Sequence, residues 1–173
     1  MAKDAKWTEI SETMRTCQAI DENNFQHLLG WARNAMVLQA MLDYPYPTDF
    51  MAPLPGFPIH EACNRCGNAA DGGSCIREAA GLLYNGTDPS KYKDCFDIFD
   101  EYVYCSDPTG CGNGNDALSW DYQACTQQTL PGGTNGVTDM FPVLKFDPED
   151  RAAYCDKTWG VVPDRDWLRH VPR

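Results

Sequence analysis

Four side chains that could bind a metal or exchange disulfides lie close together in the sequence: His60, Cys63, Cys66 and Cys75. Sulfur and imidazole nitrogen are the ligands that zinc prefers, and a Cys-x-x-Cys pair also occurs in thiol redox sites. A second pair of ligands is missing, however, and a redox pair normally follows a strand, which the prolines just upstream disfavour. A structural disulfide is therefore favoured, and we expect neither a metal nor a cofactor.

Ser74 is the serine whose surroundings come nearest to those of a hydrolase nucleophile. It lies in Gly72-Gly-Ser-Cys-Ile76, whereas a Gly-x-Ser-x-Gly elbow needs glycine at the position of Ile76 so that the turn can pack tightly. None of the histidines has a serine or cysteine partner nearby in the sequence: His27, His60 and His170. We therefore predict no catalytic triad in this chain and structural roles for these histidines.

A short ring is predicted around Asp107. Cys105 and Cys111 flank Asp-Pro-Thr-Gly, which favours a type I turn, and a bond between them would close a seven-residue ring worth roughly 2 to 2.5 kcal/mol by loop entropy. The ring would hold the Asp107 carboxylate rigidly outward; the equally weighted alternative is a carboxylate that only caps the turn. A calcium loop is not predicted, because Leu118 stands where a bidentate glutamate is needed.

Helices must position these groups. Asp21, Ser74 and Asp147 are good N-cap residues, and Pro148 suits the first position of a helix. Apolar spacing and these caps predict helices over residues 7–18, 21–43, 75–84, 92–104, 117–128 and 148–158. No clear period-two strand is present, so the predicted class is all-α.

A proline-rich strap divides the chain. Five of the 12 prolines fall between Pro45 and Pro58, which predicts an extended, polyproline-like segment over residues 44–58. Its aromatic side chains are expected to anchor it to the protein: Tyr44, Tyr46, Phe50 and Phe57.

Composition excludes several classes of function. The 173 residues carry a net charge of -11, and no cluster of Lys or Arg interrupts the acidity, so nucleic acid is not an expected partner. The longest apolar stretch, Ala35 to Leu42, is far shorter than the roughly 20 residues that cross a bilayer, so we expect no membrane span.

Nine cysteines are more than a reducing cytosol usually allows, and they predict an oxidised, secretory framework with at least one unpaired thiol. The first residues lack the apolar core of a signal peptide, so we expect a piece of a longer secreted protein. Asn85-Gly-Thr is an acceptor sequence for N-linked glycans, and in this compartment we predict that Asn85 is glycosylated.

Several motifs, in order along the chain, resemble the prolyl carboxypeptidase and dipeptidyl peptidase II family of lysosomal serine peptidases. The resemblance covers roughly residues 13–168 and is carried by Asp43-Tyr-Pro-Tyr-Pro-Thr-Asp-Phe50, Trp120-Asp-Tyr-Gln-Ala-Cys-Thr126, Thr134-Asn-Gly-Val-Thr-Asp-Met-Phe141 and Thr158-Trp-Gly-Val161. Members are α/β-hydrolases with a large helical cap. The resemblance implies that residues 1–173 form this disulfide-linked cap as a single domain and that the Ser, Asp and His of the triad lie elsewhere.

The resemblance also implies a function and its residues. The cap would select substrates for a peptidase that releases N-terminal dipeptides, X-Pro or X-Ala, and this segment alone would be inactive. Asp107 would bind the free amine of the peptide, because the Cys105–Cys111 ring is similar to that of the dipeptidyl peptidase branch. Leu130, Trp120 and Tyr122 would also contact substrate.

The implied disulfides are Cys17–Cys95 and Cys125–Cys155, with Cys66–Cys75 as an extra pair and Cys63 left unpaired. The implied partners are peptides with a free N-terminus, the hydrolase domain and, as a homodimer, a second copy, in a lysosome or outside the cell. Two alternatives stay open: a freestanding, disulfide-stapled secreted binding module, and the cap of a Pro-X carboxypeptidase.

Overall fold

The computed structural model describes residues 2–85, 93–102, 114–128, 133–139 and 143–164. The described residues form seven helices and one small antiparallel hairpin: α1 (Ala2–Met14), α2 (Phe25–Met41), β1 (Thr48–Asp49), β2 (Pro53–Leu54), α3 (Pro58–Gly67), α4 (Gly72–Asn85), α5 (Ile98–Glu101), α6 (Gly114–Thr126) and α7 (Pro148–Trp159). The predicted all-α, disulfide-linked class is therefore confirmed.

The chain groups into two compact units, Met1–Tyr102 and Val103–Arg173, and each is described by itself. The prediction of a single domain over residues 1–173 stays a prediction. None of the helices in the described ranges combines the length and the apolar character that crossing a lipid bilayer requires.

Helix α2 carries the core of the first unit. Trp31 is fully buried and stacks on Tyr84, with ring centroids 4.7 Å apart, while Phe96 packs on it at an angle, 5.2 Å away. The Tyr84 hydroxyl donates to the Trp31 carbonyl oxygen over 2.8 Å. Aromatic pairs of this kind add about 0.5–1.5 kcal/mol to the burial of their apolar area, so Trp31 is the centre of this unit.

Two predicted N-caps are wrong. Helix α2 begins at Phe25 rather than at residue 21, because the Asp21 carboxylate accepts from Asn23 N and Asn24 N and so closes a turn upstream of the helix. Helix α4 begins at Gly72, before the predicted cap Ser74. Asp71 caps it instead, accepting from the Ser74 backbone N–H and hydroxyl over 3.0 and 2.8 Å.

The strap is a closed hairpin rather than an extended segment. Strands β1 and β2 pair in it, and Pro58 begins helix α3, which the sequence did not predict. The aromatic residues predicted as anchors are largely exposed, so that interpretation is wrong. Leu54 and Pro58 are the buried side chains that hold the strap, because their positions face the core.

The long helix predicted over residues 92–104 is wrong within the described residues, where only the four-residue α5 is helical. Extended backbone precedes it because Phe96 pairs with the segment that follows α1. Cys17 N donates to Phe96 O over 2.9 Å, Phe96 N donates to Arg15 O over 2.8 Å, and the Cys17–Cys95 disulfide lies beside this pairing. The tertiary pairing overrides the local helical spacing.

In the second unit, helix α7 has the predicted signals at both ends. Asp147 Oδ1 accepts from Glu149 N and Asp150 N, and Gly160 ends the helix with a left-handed φ of 66°. The disulfide Cys125–Cys155 joins α7 to α6, and both of its cysteines are fully buried. The covalent link and the two helices form the framework of this unit.

Candidate functional site

Helix α6, in the second unit, has one buried face. Ala117, Asp121, Ala124 and Cys125 lie on that face at the spacing of successive helical turns, and each is at most 2% exposed. Asp121 is therefore an acidic residue at the centre of an otherwise apolar stripe. A buried carboxylate needs donors to offset its loss of hydration.

Helix α7 supplies those donors, from Tyr154 in its middle and from Trp159, its last residue. The Tyr154 hydroxyl donates to Asp121 Oδ2 over 2.9 Å, and the indole Nε1–H of Trp159 donates to the same oxygen over 2.8 Å. Both bonds are short and directed at a carboxylate, the stronger kind of hydrogen bond. Asp121 therefore fixes the middle and the C-terminal end of α7 relative to α6, together with the disulfide.

Sequence reasoning missed Asp121. The available signal was its position four residues after Ala117 and three before Ala124, which places an acid inside an apolar helical stripe. The family resemblance implies roles for its two aromatic neighbours instead.

Those neighbours, Trp120 and Tyr122, are 41% and 47% exposed. Because each residue advances about 100° around an α-helix, positions two apart lie about 160° from each other, on opposite flanks of Asp121. Tyr122 packs edge-on against Trp159, with ring centroids 5.4 Å apart. The structure therefore does not bring Trp120 and Tyr122 together on one face of α6. Tyr122 joins the Asp121 network through Trp159, and no contact of Trp120 with that network is seen among the described residues.

The other predicted contacts with substrate, Asp107 and Leu130, lie outside the described residues, as do the Cys105–Cys111 ring and His170. Asn85, the predicted glycosylation position, is the last residue of α4. Its side-chain oxygen accepts from the backbone N–H of Lys93 over 3.2 Å.

The groups that resembled a nucleophile and a base are engaged elsewhere. Hydrogen bonds from Ser74 hold the pKa of Asp71 below its ordinary value, so the hydroxyl of Ser74 serves an ionised helix cap. His27 stacks on Phe99 with centroids 4.4 Å apart, and its Nε2 lies 2.9 Å from the carbonyl oxygen of Ile98. His60 is exposed on α3.

Six of the seven cysteines in the described residues are oxidised in pairs. The structure contains Cys17–Cys95, Cys66–Cys75 and Cys125–Cys155, with Cys63 free and exposed. Since Cys66 and Cys75 share a disulfide, their sulfurs are not thiolate ligands for zinc. Within the described ranges no group of three or more His, Cys, Asp or Glu side chains is placed to hold a metal ion.

A buried acid also lies in the first unit. Glu101 is 6% exposed, accepts from Trp31 Nε1 over 3.1 Å and forms an ion pair with Lys93. Burial raises the pKa of Glu101, while the hydrogen bond and charge of Lys93 act in the opposite direction. This group ties the segment after residue 92 to the core tryptophan.

An open cleft of about 430 Å³ lies between α3 and α4. Its two guanidinium groups are already paired, Arg65 with Glu61 over 3.0 Å and Arg77 with Glu78 over 2.7 Å. Because neighbouring carboxylates neutralise both cations, the cleft lacks the net positive charge that would favour an anionic substrate.

The fold and these contacts define an all-α, disulfide-linked helical domain. A family model for serine carboxypeptidase S28 matches residues 1–165. The chain belongs to this family of serine peptidases.

Individual relatives support the same family. Lysosomal Pro-X carboxypeptidases of Homo sapiens and Bos taurus are 29% and 30% identical to this chain, over 92% of its length in both cases. Prolyl carboxy peptidase like protein 5 of Caenorhabditis elegans is 29% identical over 82% of the chain. The chain spans about 30% of the length of the curated relatives it matches.

Proposed function

We propose that this chain is the substrate-selecting cap of a serine exopeptidase whose catalytic Ser, Asp and His lie on other parts of the polypeptide. The observation that carries the proposal is the family match over residues 1–165, combined with the share of about 30% that the chain covers of its relatives. A helical domain of this size adds walls and specificity to an active site, while the nucleophile and base belong to another element.

A cap excludes water from the reacting bond and restricts which peptides reach it. This role needs rigid side chains, since a substrate contact that moves loses both affinity and selectivity. The Asp121 network supports it: Tyr154 and Trp159 are fixed by the carboxylate, and Tyr122 packs on Trp159. Tyr122 is therefore a pre-positioned aromatic contact for a peptide.

We propose release of N-terminal dipeptides as the reaction. A dipeptidyl peptidase must recognise a free α-ammonium at a fixed distance from the bond that it cuts, and a rigid carboxylate does this through a charge-assisted hydrogen bond. Asp107 within the Cys105–Cys111 ring is the proposed carboxylate, and Leu130 is the proposed wall of the pocket for the residue before the cut.

The cap of a Pro-X carboxypeptidase is the second candidate. It is favoured by the relatives of Homo sapiens and Bos taurus, whose names state that activity. A carboxypeptidase recognises a free carboxylate at the other end of the peptide, so the two candidates predict opposite substrate termini.

One comparison of substrates tests both candidates. The longer polypeptide containing this segment is assayed with an X-Pro or X-Ala chromogenic dipeptide bearing a free amine, and with an N-blocked peptide ending in Pro-X. Turnover of the first alone supports dipeptide release, and turnover of the second alone supports the carboxypeptidase. Turnover of neither, with no labelling by a serine-reactive probe, refutes the peptidase proposal and leaves the freestanding binding module.

Asp107→Asn in the same polypeptide separates recognition from folding, with Asp116→Asn, at an exposed position in the first turn of α6, as the control. Loss of one charged hydrogen bond of about 1.5–3 kcal/mol predicts a fall in kcat/KM of roughly 10- to 150-fold for free-amine substrates. An equal effect of both variants contradicts the role of Asp107.

We propose a lysosomal or secreted location. Three disulfides and the lysosomal relatives support it. The proposed partners are peptides with a free N-terminus, the hydrolase domain and a second copy of the chain. A glycan at Asn85 would be seen as a mass shift that Asn85→Gln or enzymatic deglycosylation removes.

A further inference from the structure

An exposed apolar surface lies on the strap of the first unit. We call it the aromatic patch and define it by five side chains, each at least 41% exposed: Tyr44, Tyr46, Phe50, Met51 and Phe57. The rings of Tyr44 and Tyr46 stack with centroids 5.6 Å apart. Large apolar side chains grouped on one short hairpin mark a site of interaction more often than singly scattered apolar residues do.

The strap holds the aromatic patch in place before any partner binds. Phe57 N donates to Tyr44 O over 2.7 Å, which closes the base of the hairpin. A Cβ at Gly56 would lie 3.0 Å from the carbonyl oxygen of Pro45, so the two ends of the strap approach as closely as backbone allows. Ordering such a surface on binding costs little conformational entropy.

The backbone at Phe57 is strained. Its φ and ψ of 51° and 59° are left-handed values that bulky residues rarely adopt, and its ring is nevertheless half-exposed. The strain therefore does not serve to bury the ring within this unit. Strained residues held in this way are typical of binding surfaces.

We infer that the aromatic patch packs against the remainder of the family polypeptide, on an apolar face with a basic rim; this inference rests on the proposed function. More than two thirds of each relative lies outside the segment that matches this chain, and the corresponding part of the polypeptide is the proposed partner. Charge defines its rim: Asp43, just before the strap, and Asp49, within it, are both exposed, and no Lys or Arg lies between Arg33 and Arg65. A second copy fits poorly, because two chains of charge -11 would oppose their acidic rims.

Covalent footprinting tests this inference in the longer polypeptide and in the 173-residue chain. Phe50 is 81% exposed, so packing should lower its labelling roughly fivefold or more in the longer polypeptide, whereas Ile76, 45% exposed on α4, should label equally in both. Equal labelling of Phe50 in both proteins, or labelling already low in the 173-residue chain, overturns the inference. Protection that depends on protein concentration indicates a second copy of the chain as the partner, and protection that requires a peptide indicates substrate. Either result overturns the inference.

Phe50→Ser provides a second test, with Ile76→Ser as its matched control. In the 173-residue chain both variants should leave the melting temperature unchanged, because both side chains are exposed there. In the longer polypeptide Phe50→Ser alone should lower it, and no difference between the variants overturns the inference. Peptidase activity is measured separately, so an inactive polypeptide with a protected strap refutes the proposed function without refuting the interface.

Discussion

Replacing Asp121 by alanine tests whether this carboxylate holds the second unit together. The side chain is 1% exposed, and its Oδ2 accepts from both Tyr154 and Trp159. Asp121→Ala leaves both donors without that acceptor. Asp121→Asn keeps an oxygen in the same place but removes the charge.

The expected magnitude comes from the two hydrogen bonds. A bond to a charged group contributes about 1.5–3 kcal/mol, and both donors belong to half-buried residues that water can partly reach, so we take the lower end for each. Asp121→Ala should therefore lower the free energy of unfolding by about 3 kcal/mol, and Asp121→Asn by about half of that, since neutral hydrogen bonds are roughly half as strong. For a unit of this size, the larger loss corresponds to roughly 12 to 24 °C in melting temperature.

Urea unfolding of the oxidised chain measures the loss, and the indole N–H resonance of Trp159 reports the site itself. That resonance should move upfield when its acceptor is removed. The control is Gln123→Ala, at an exposed position of α6, which should change stability by less than about 0.5 kcal/mol.

A double-mutant cycle isolates the contact. Asp121→Ala and Tyr154→Phe should couple by about 1.5 kcal/mol, because each removes one side of the same hydrogen bond. If Asp121→Ala matches the Gln123→Ala control and the indole resonance does not move, the carboxylate does not organise this unit.

Three further predictions concern pH, a disulfide and a helix end. Burial raises the pKa of Glu101, so the folded protein favours the protonated carboxyl, and the stability that this group contributes is lost as the pH rises from 4.5. Glu101→Gln should therefore flatten the decline of unfolding free energy measured between pH 4.5 and 7. An unchanged slope contradicts this prediction. Removing Cys17–Cys95, which joins residues 78 apart, by Cys17→Ser with Cys95→Ser should cost about 4.5 kcal/mol by loop entropy in non-reducing thermal melts, and a loss below 1 kcal/mol would contradict it. Gly160→Ala should cost about 1 kcal/mol at its φ of 66°, and Gly160→Asn less, as measured by urea unfolding; equal stability of all three proteins would rule out a role for the left-handed backbone.

The sequence predicted helix α7 closely because its signals are local. Asp147 caps the first turn through its own side chain, Pro148 needs no N–H partner at the first position, and Gly160 accepts left-handed backbone. None of these signals depends on what the helix packs against, so the pattern was sufficient.

Predictions failed where distant contacts decide the local structure. The segment before α5 is extended because Phe96 pairs with the backbone on both sides of Thr16, some 80 residues earlier in the chain. Likewise, α3 packs on α4 through the Cys66–Cys75 bond, and its proline-containing start carried no conventional cap residue. Propensity alone cannot report such contacts.

In the strap, the aromatic residues are not the anchors that the sequence predicts. Sequence indicates that Phe50 and Phe57 are large and apolar, and burial is the ordinary fate of such side chains. In the hairpin Leu54 is buried instead, whereas Phe50 and Phe57 are 81% and 52% exposed. The energetic cost of that exposure is the physical reason to expect a partner surface.

The same distinction applies to the motif around Asp121. Its aromatic residues, Trp120 and Tyr122, suggested substrate contact, whereas the acid between them is buried and bound to Tyr154 and Trp159. A motif shared with a peptidase family therefore combines residues that maintain the framework with residues free to meet a ligand. Hydrogen bonding and burial separate the two kinds, whereas residue type and spacing do not. The proposed contact of Tyr122 with substrate therefore depends on how firmly Asp121 holds Trp159, on which Tyr122 packs.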